Sequence, residues 1–356
     1  MLKPFSLVTT LLIILLTSLP GTGQRNYIPL KNDSAFLKSL LEKATLKFEA
    51  DKKEITGPNK KYLIKEYRER FDHVKEMYEK AEVITDRRAR AYLESLAGRI
   101  LKANPVLQNL HPAILFSKMY WPNAASYGEG TIVFNIGLFN RLQNESQAAF
   151  IISHELAHYY LQHSDNAIDN YVNTLYSKEF QGQLREIKKS RYQQGRSLDE
   201  LVKDISYKSR RHSRAHESEA DSMALELLRP AGFDVREALS CLALLDSVDR
   251  DKYAGDLHLK EQLNFPDYPF RRSWLRQSSP TLAEAIRASE AGQETAGAEA
   301  DSLKTHPDCS TRILRLTPQV EAYYNGSQQL FPVSRSVFDI LVNYFDYELI
   351  EYCYQS

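Results

Sequence analysis

The chain is short of cysteine, of net charge and of long apolar runs, and each shortage closes off a class of protein. Its three cysteines, Cys241, Cys309 and Cys353, are too few for a disulfide scaffold, and an odd count allows at most one bridge. None has the paired short spacing of a structural zinc knuckle, so they read as thiols used as small hydrophobes. Net charge is zero, with 46 Lys+Arg against 46 Asp+Glu. That balance argues against a nucleic-acid partner, because such binding draws on an excess of basic residues. Mean hydropathy is −0.45, and beyond Leu19 no stretch is long and apolar enough to cross a bilayer, which excludes a polytopic membrane protein. No internal repeat with a period of roughly 30 to 45 residues is present, which counts against an appended helical-repeat domain.

What is present is ordinary for a folded chain: 43% hydrophobic and 26% charged residues over 356 positions. That length fits one large domain with insertions or two smaller ones. The neutrality is an average. Residues 178–214 hold eleven Lys+Arg against five Asp+Glu, while 336–356 hold four acids and no base. Because acids interleave with the bases, the 178–214 segment reads first as a solvated helical face, and second as a peripheral contact with a membrane surface. At the N-terminus Lys3 precedes an apolar run from Phe5 to Leu19, then Pro20 and the small residues Gly21-Thr22-Gly23. This is the pattern of a secretory signal peptide cleaved after Gly23, implying an exported, periplasmic or secreted protein. An uncleaved anchor is the competing reading, but the run falls short of the roughly 20 residues a span needs.

Apolar residues at three- and four-residue spacing predict helix over 33–103, punctuated by Gly57-Pro58, with the Tyr67–Leu101 stretch continuous. Two short β-rich runs follow, Ala113–Met119 and Thr131–Ile136, separated by the glycine-bearing segment 123–130 and expected to be neighbours. Asn144 followed by Gln147 has the form of a capping box and starts a helix with Ala148-Ala-Phe-Ile-Ile. Residues 171–216 read as polar helix, His216 to Leu228 as an apolar helix ended by Pro230 and Gly232. The Ala/Gly/Glu-rich piece 288–300 reads as a mobile loop and the best candidate for a lid.

Chemistry concentrates in His154-Glu155-Leu156-Ala157-His158. Residues four apart share a helix face, so both imidazoles can reach one zinc ion, and Glu155 stands where a carboxylate takes the proton of a zinc-bound water. Catalytic zinc needs a third protein ligand and an open position. Glu217 and Asp221, again four apart, supply it: Glu217 as ligand, Asp221 behind it holding an imidazole N–H. His163, five residues past His158, falls off the ligand face and reads as structural or capping. His216 and Glu219 point to other faces of their helix, and the His212/His216 pair, four apart, reads as exposed histidines ahead of the alternative, a second metal pair.

At this point the chain resembles the CAAX-prenyl-protease-like zinc peptidases, with their HtpX-like and BepA-like members. The motif order carries the resemblance: the strand beginning Asn123-Ala-Ala-Ser-Tyr-Gly-Glu-Gly, then His154-Glu-Leu-Ala-His158, then Glu217-x-Glu-Ala-Asp221, then Thr305-His306-Pro307 with Arg312-Ile313. The turn Tyr127-Gly128-Glu129-Gly130 departs from the more usual Pro-Gly-Gly form, and the membrane spans of the prenyl proteases are missing. The resemblance implies a predominantly helical α+β fold, a zincin-type metallopeptidase domain with a small β-sheet beside the His-Glu-x-x-His helix. It implies one zinc ion on His154, His158 and Glu217, Glu155 as general base, Asp221 behind a ligand, and Asn123, Ala124 and Ala125 as a substrate-binding edge strand. His306 would be a gate over the metal or a transition-state donor, against the plainer alternative of a loop histidine that caps a helix.

The expected layout is a signal peptide at 1–23, a helical N-terminal extension at 24–79, the metallopeptidase domain at 80–316 with an insertion at about 251–304, and an acidic, aromatic extension at 317–356. The expected function is zinc-dependent endopeptidase action on exported or misfolded envelope proteins, with polypeptides as partners. The alternative is a zinc-bearing chaperone-like or binding protein whose metal is blocked by His306.

Overall fold

A computed structural model describes residues 28–189, 214–248 and 309–355. The segment read as a signal peptide, most of the basic arm with His212, the 251–304 segment read as an insertion, and Thr305-His306-Pro307 lie outside the described residues.

The described chain opens with a helical hairpin, α1 (Ser34–Glu54) and α2 (Lys60–Glu79). Asp33 caps α1, its carboxylate accepting the Phe36 N–H at 3.0 Å. The expected continuity through Leu101 fails at residues 80–86. Ala81 turns the chain with a φ of 53°, and Val83–Ile84 forms a two-residue strand, β1. Asp86 then caps a new helix, α3 (Arg87–Ala103), through the Arg88 N–H at 2.9 Å. Helical spacing continues across this break, but Val83 and Ile84 pair with Ser117 and Phe116 and are fully buried. Burial on a sheet outweighs local propensity there.

Strand β2 (Ala113–Ser117) and β4 (Thr131–Asn135) pair in parallel, and β3 (Ala124–Ser126) pairs antiparallel to β4, giving the order β1-β2-β4-β3. The two strands expected as neighbours are so, and the glycine-bearing segment between them supplies β3 as the edge. Alternation divides the core. Leu115 and Val133 face α1 and α2 with Leu40, Ala44, Val74 and Met77. Ile114, Phe116, Ile132 and Phe134 face the larger cluster on the other side. The sheet is covered on both faces.

A short helix, α4 (Ile136–Phe139), leads to α5 (Glu145–Tyr160), which crosses that larger cluster. Ala148, Ala149, Phe150, Ile151 and Ile152 are buried on successive faces, so the helix is apolar all round over this stretch. Asn144 caps it through the Gln147 N–H at 3.0 Å, while the Gln147 amide oxygen accepts the Gln143 N–H at 2.8 Å, one residue before the usual partner of a capping box. Then follow α6 (His163–Leu175) and α7 (Lys178–Lys189), separated where Ser177 caps the second through the Phe180 N–H at 3.1 Å. A helix described over 214–231, α8, runs through Pro230 and stops at Gly232, whose φ of 78° makes the left-handed cap. The chain ends in α9 (Glu237–Val248), α10 (Cys309–Tyr323) and α11 (Arg335–Gln355). The fold is α+β and predominantly helical. Phe338, Leu341 and Phe345 of α11 enter the main core. Among the described residues no helix is long and apolar enough to cross a membrane.

Glu145 ties the start of α5 to the rest. Fully buried, it accepts the Tyr92 hydroxyl at 2.8 Å and the Val333 and Ser334 N–H groups, each at 2.7 Å, just before α11 begins. Replacing it with Ala strands three donors, and we expect urea denaturation to show a loss of about 3 kcal/mol. Asn144→Ala, which removes the cap and the hydrogen bond from the Asn144 amide to Glu237, is expected to cost about 1–2 kcal/mol.

Candidate metal centre

The apolar stretch of α5 ends at Ser153, and the helix emerges from the core as His154-Glu155-Leu156-Ala157-His158. Leu156 and Ala157 stay buried while His154 and His158 turn toward α8. Their Nε2 atoms are 3.0 Å apart. Glu217 of α8 meets both, Oε2 lying 3.4 Å from His154 Nε2 and Oε1 lying 3.4 Å from His158 Nε2. One donor atom from each of His154, His158 and Glu217 falls within 4.8 Å of the others, the one such group of three among the described residues. Two imidazole nitrogens and a carboxylate oxygen, with no fourth protein donor in the group, suit a divalent metal with an open position, zinc above all.

Asp221, one turn along α8 from Glu217, sits behind His154. Its Oδ1 is 3.0 Å from His154 Nδ1, an approach too oblique for a straight hydrogen bond. Arg312 of α10 holds that carboxylate from the far side, Nε at 2.7 Å from Oδ2 and Nη2 at 2.5 Å from Oδ1. Its Nη1 also reaches within 3.6 Å of Glu217 Oε2. Burial alone would raise the Asp221 pKa, but Arg312 and His154 overcome it and hold the carboxyl below its usual range. Burial works to lower the pKa of His154, yet the Asp221 and Glu217 carboxylates prevail and push it up to about 10.

Glu155 follows His154 on α5 and is 9% exposed. β3 packs against α5. The Asn135 N–H donates to the Asn123 carbonyl and the Tyr127 N–H to the Thr131 carbonyl. Alternation along an antiparallel ladder then directs Ala125 toward β4 and leaves the backbone groups of Ala124 and Ser126 on the outer edge. The turn after β3 needs Gly128 and Gly130, with φ of 82° and 113°, and a side chain at Gly128 would collide with Arg70 and Ser164. His306 lies outside the described residues.

Two contacts were not visible in residue spacing. The first is the role of Arg312, whose partner is 91 positions away; a lone arginine carries no local sign of a buried acid. The second is His163, which is buried and brings Nδ1 to 3.0 Å from His158 Nδ1. His216 and Glu219, set aside on facing alone, both touch His163: the rings of His163 and His216 stack at 4.1 Å, and Glu219 Oε2 is 3.3 Å from His163 Nε2. Burial first, then the His158 and His216 rings, hold the His163 pKa below the usual histidine range, so it is neutral at pH 7.

The Asp221–Arg312 pair is almost fully buried, so removing one partner leaves an uncompensated charge. Arg312→Leu is expected to lower stability in urea denaturation by about 3–5 kcal/mol. Arg312→Lys is expected to lose less, because a lysine keeps the charge but cannot span both carboxylate oxygens.

Comparison with curated proteins gives no match. A model of the family described as Peptidase family M48 matches residues 88–320, more than half of the chain, from the start of α3 into α10. The matched stretch contains His154, Glu155, His158, Glu217, Asp221 and Arg312, in agreement with the resemblance read from the motif order. The chain belongs to peptidase family M48, whose members are metal-dependent, typically zinc-dependent, peptidases acting on polypeptides.

Proposed function

We propose that this chain is an exported zinc endopeptidase acting on unfolded or extended polypeptides of the cell envelope. The observation that carries the reading is the meeting of His154 Nε2, His158 Nε2 and Glu217 at one point beside Glu155. Export is supported by Lys3, the apolar run to Leu19 and Gly21-Thr22-Gly23.

His154, His158 and Glu217 would hold one zinc ion, which when bound supplies the Lewis acidity that polarises a peptide carbonyl and makes water a nucleophile near neutral pH. The remaining work falls to the chain. Glu155 accepts the proton of the attacking water and returns it to the leaving amine, so that one carboxylate serves as base and then acid. Asp221, charged and fixed by Arg312, orients the His154 ring from behind. β3 offers a substrate in extended conformation the outward backbone groups of Ala124 and Ser126, reading main chain rather than side chain. Recognition of that kind requires the segment to be unfolded or extended, which favours damaged or misassembled proteins as substrates.

The test pairs metal content with cleavage of casein. Wild type should carry one equivalent of zinc and cleave. Glu155→Gln should keep the zinc and lose roughly 10²–10⁴-fold in kcat. Absence of zinc from the wild type, or undiminished cleavage by the variant, would overturn the reading.

The edge strand gives a separate expectation. Ala124→Pro removes an N–H that points away from β4, so the sheet stays intact. On extended peptides KM should rise by roughly tenfold or less, the worth of one hydrogen bond, with kcat for a minimal dipeptide-sized substrate unchanged.

A further inference from the structure

We propose that His163 is a positioning residue of the metal centre: it accepts the Nδ1–H of His158 and donates its own Nε2–H to Glu219, so that His158 is held with Nε2 toward Glu217 and His154. The inference rests on the reading of a zinc site above and adds three residues to it, His163, His216 and Glu219.

Proton placement follows from the contacts. His158 directs Nε2 at Glu217 and at His154 Nε2, and Nδ1 at His163 Nδ1. For Nε2 to offer a lone pair to a metal, the single proton of the neutral ring must sit on Nδ1. At 3.0 Å that proton requires an acceptor, so His163 Nδ1 must be bare. With Nδ1 bare, the proton of the His163 ring is on Nε2, where Glu219 Oε2 receives it at 3.3 Å. Each ring fixes the tautomer of the next, and the carboxylate at the end fixes the direction. The opposite order would put a proton on His158 Nε2, where the metal belongs.

The backbone is shaped to bring this about. On an uninterrupted helix, residue 163 would lie about 140° round from residue 158, out of reach. Gln162 instead takes a left-handed φ of 55°, ends α5 and restarts the chain as α6 with His163 as its first residue. A left-handed conformation is disfavoured at a residue with a side chain, so packing must hold it in place. The return is a buried His163 wedged against α8, stacked on His216 with the planes only 6° apart and bonded to Glu219 one turn on. His163 therefore joins the helix bearing two of the ligands to the helix bearing the third.

The test is zinc affinity by competition with a chromogenic chelator, with melting temperature as the control for folding. His163→Leu should bind zinc roughly 10- to 100-fold more weakly than wild type, as loss of a partner behind a ligating histidine does. His163→Asn places an amide oxygen near the position of Nδ1 and should recover at least half of that loss on a logarithmic scale. A merely structural role would give no such rescue. Glu219→Ala, at a side chain that is 59% exposed, should fold as wild type and weaken zinc binding less than His163→Leu does. Equal affinity in wild type and His163→Leu overturns the proposal, as does equal loss in the Leu and Asn variants. If His163→Leu fails to fold, unchanged affinity in Glu219→Ala overturns it. Wild type that binds no zinc instead overturns the underlying zinc reading, and the relay falls with it.

Discussion

Everything at the metal centre depends on one buried carboxylate. Asp221 is 1% exposed, and an ionised acid in that position is tolerated only with a matching charge and hydrogen bonds. Arg312 supplies both with a two-point grip, and His154 approaches from the other side. Three helices that contribute nothing to one another locally, α5, α8 and α10, are thereby fixed at a single point. Ser222 and Gln319, bonded to each other side chain to side chain and side chain to main chain, repeat the α8–α10 connection one residue further along. Glu217 stands one turn from Asp221 on the same helix, so a shift in the Asp221–Arg312 pair displaces a metal-facing carboxylate as well.

That geometry explains what could be read from residues alone. His154 and His158, like Glu217 and Asp221, are four apart on single helices, and a helix converts such spacing into a shared face without help from the rest of the fold. The cap at Asn144 was legible for the same reason, being settled within four residues. Arg312 and His163 were not. One acts across 91 positions of sequence; the other depends on a left-handed residue at Gln162 that no glycine or asparagine announces. The break at residues 80–86 was hidden because Val83 and Ile84 suit a helix face as well as a strand. Only the partner strand, more than thirty positions later, decides between them.

The placement of α5 reconciles two opposing demands. A catalytic helix must be rigid, which calls for burial, and must expose polar groups, which forbids it. The helix divides these along its length: residues 145–153 are buried, with Glu145 and Asn144 satisfied by hydrogen bonds at the start, and the histidines appear where it leaves the core. Rigidity is imposed at one end and used at the other. Strand β3, packed against the same helix at the edge of the sheet, inherits that rigidity, so an extended chain laid along it would be held in a constant relation to Glu155.

The charges around the site argue for the kind of ion it accepts. Glu217 and Asp221 bring two carboxylates to the histidine end of α5, and Arg312 reaches both. The acids outnumber the guanidinium, which favours a cation at the histidines. The excess is visible in His154, where burial pulls the imidazole toward neutrality and the surrounding carboxylates overrule it. His158 is treated differently. A charged carboxylate stands behind His154, whereas a neutral imidazole stands behind His158 and passes its hydrogen bond outward to an acid at the surface. The two rings are therefore supported by different groups. Removing the support of either ring should weaken the site for a different reason: loss of charge behind His154, loss of orientation behind His158.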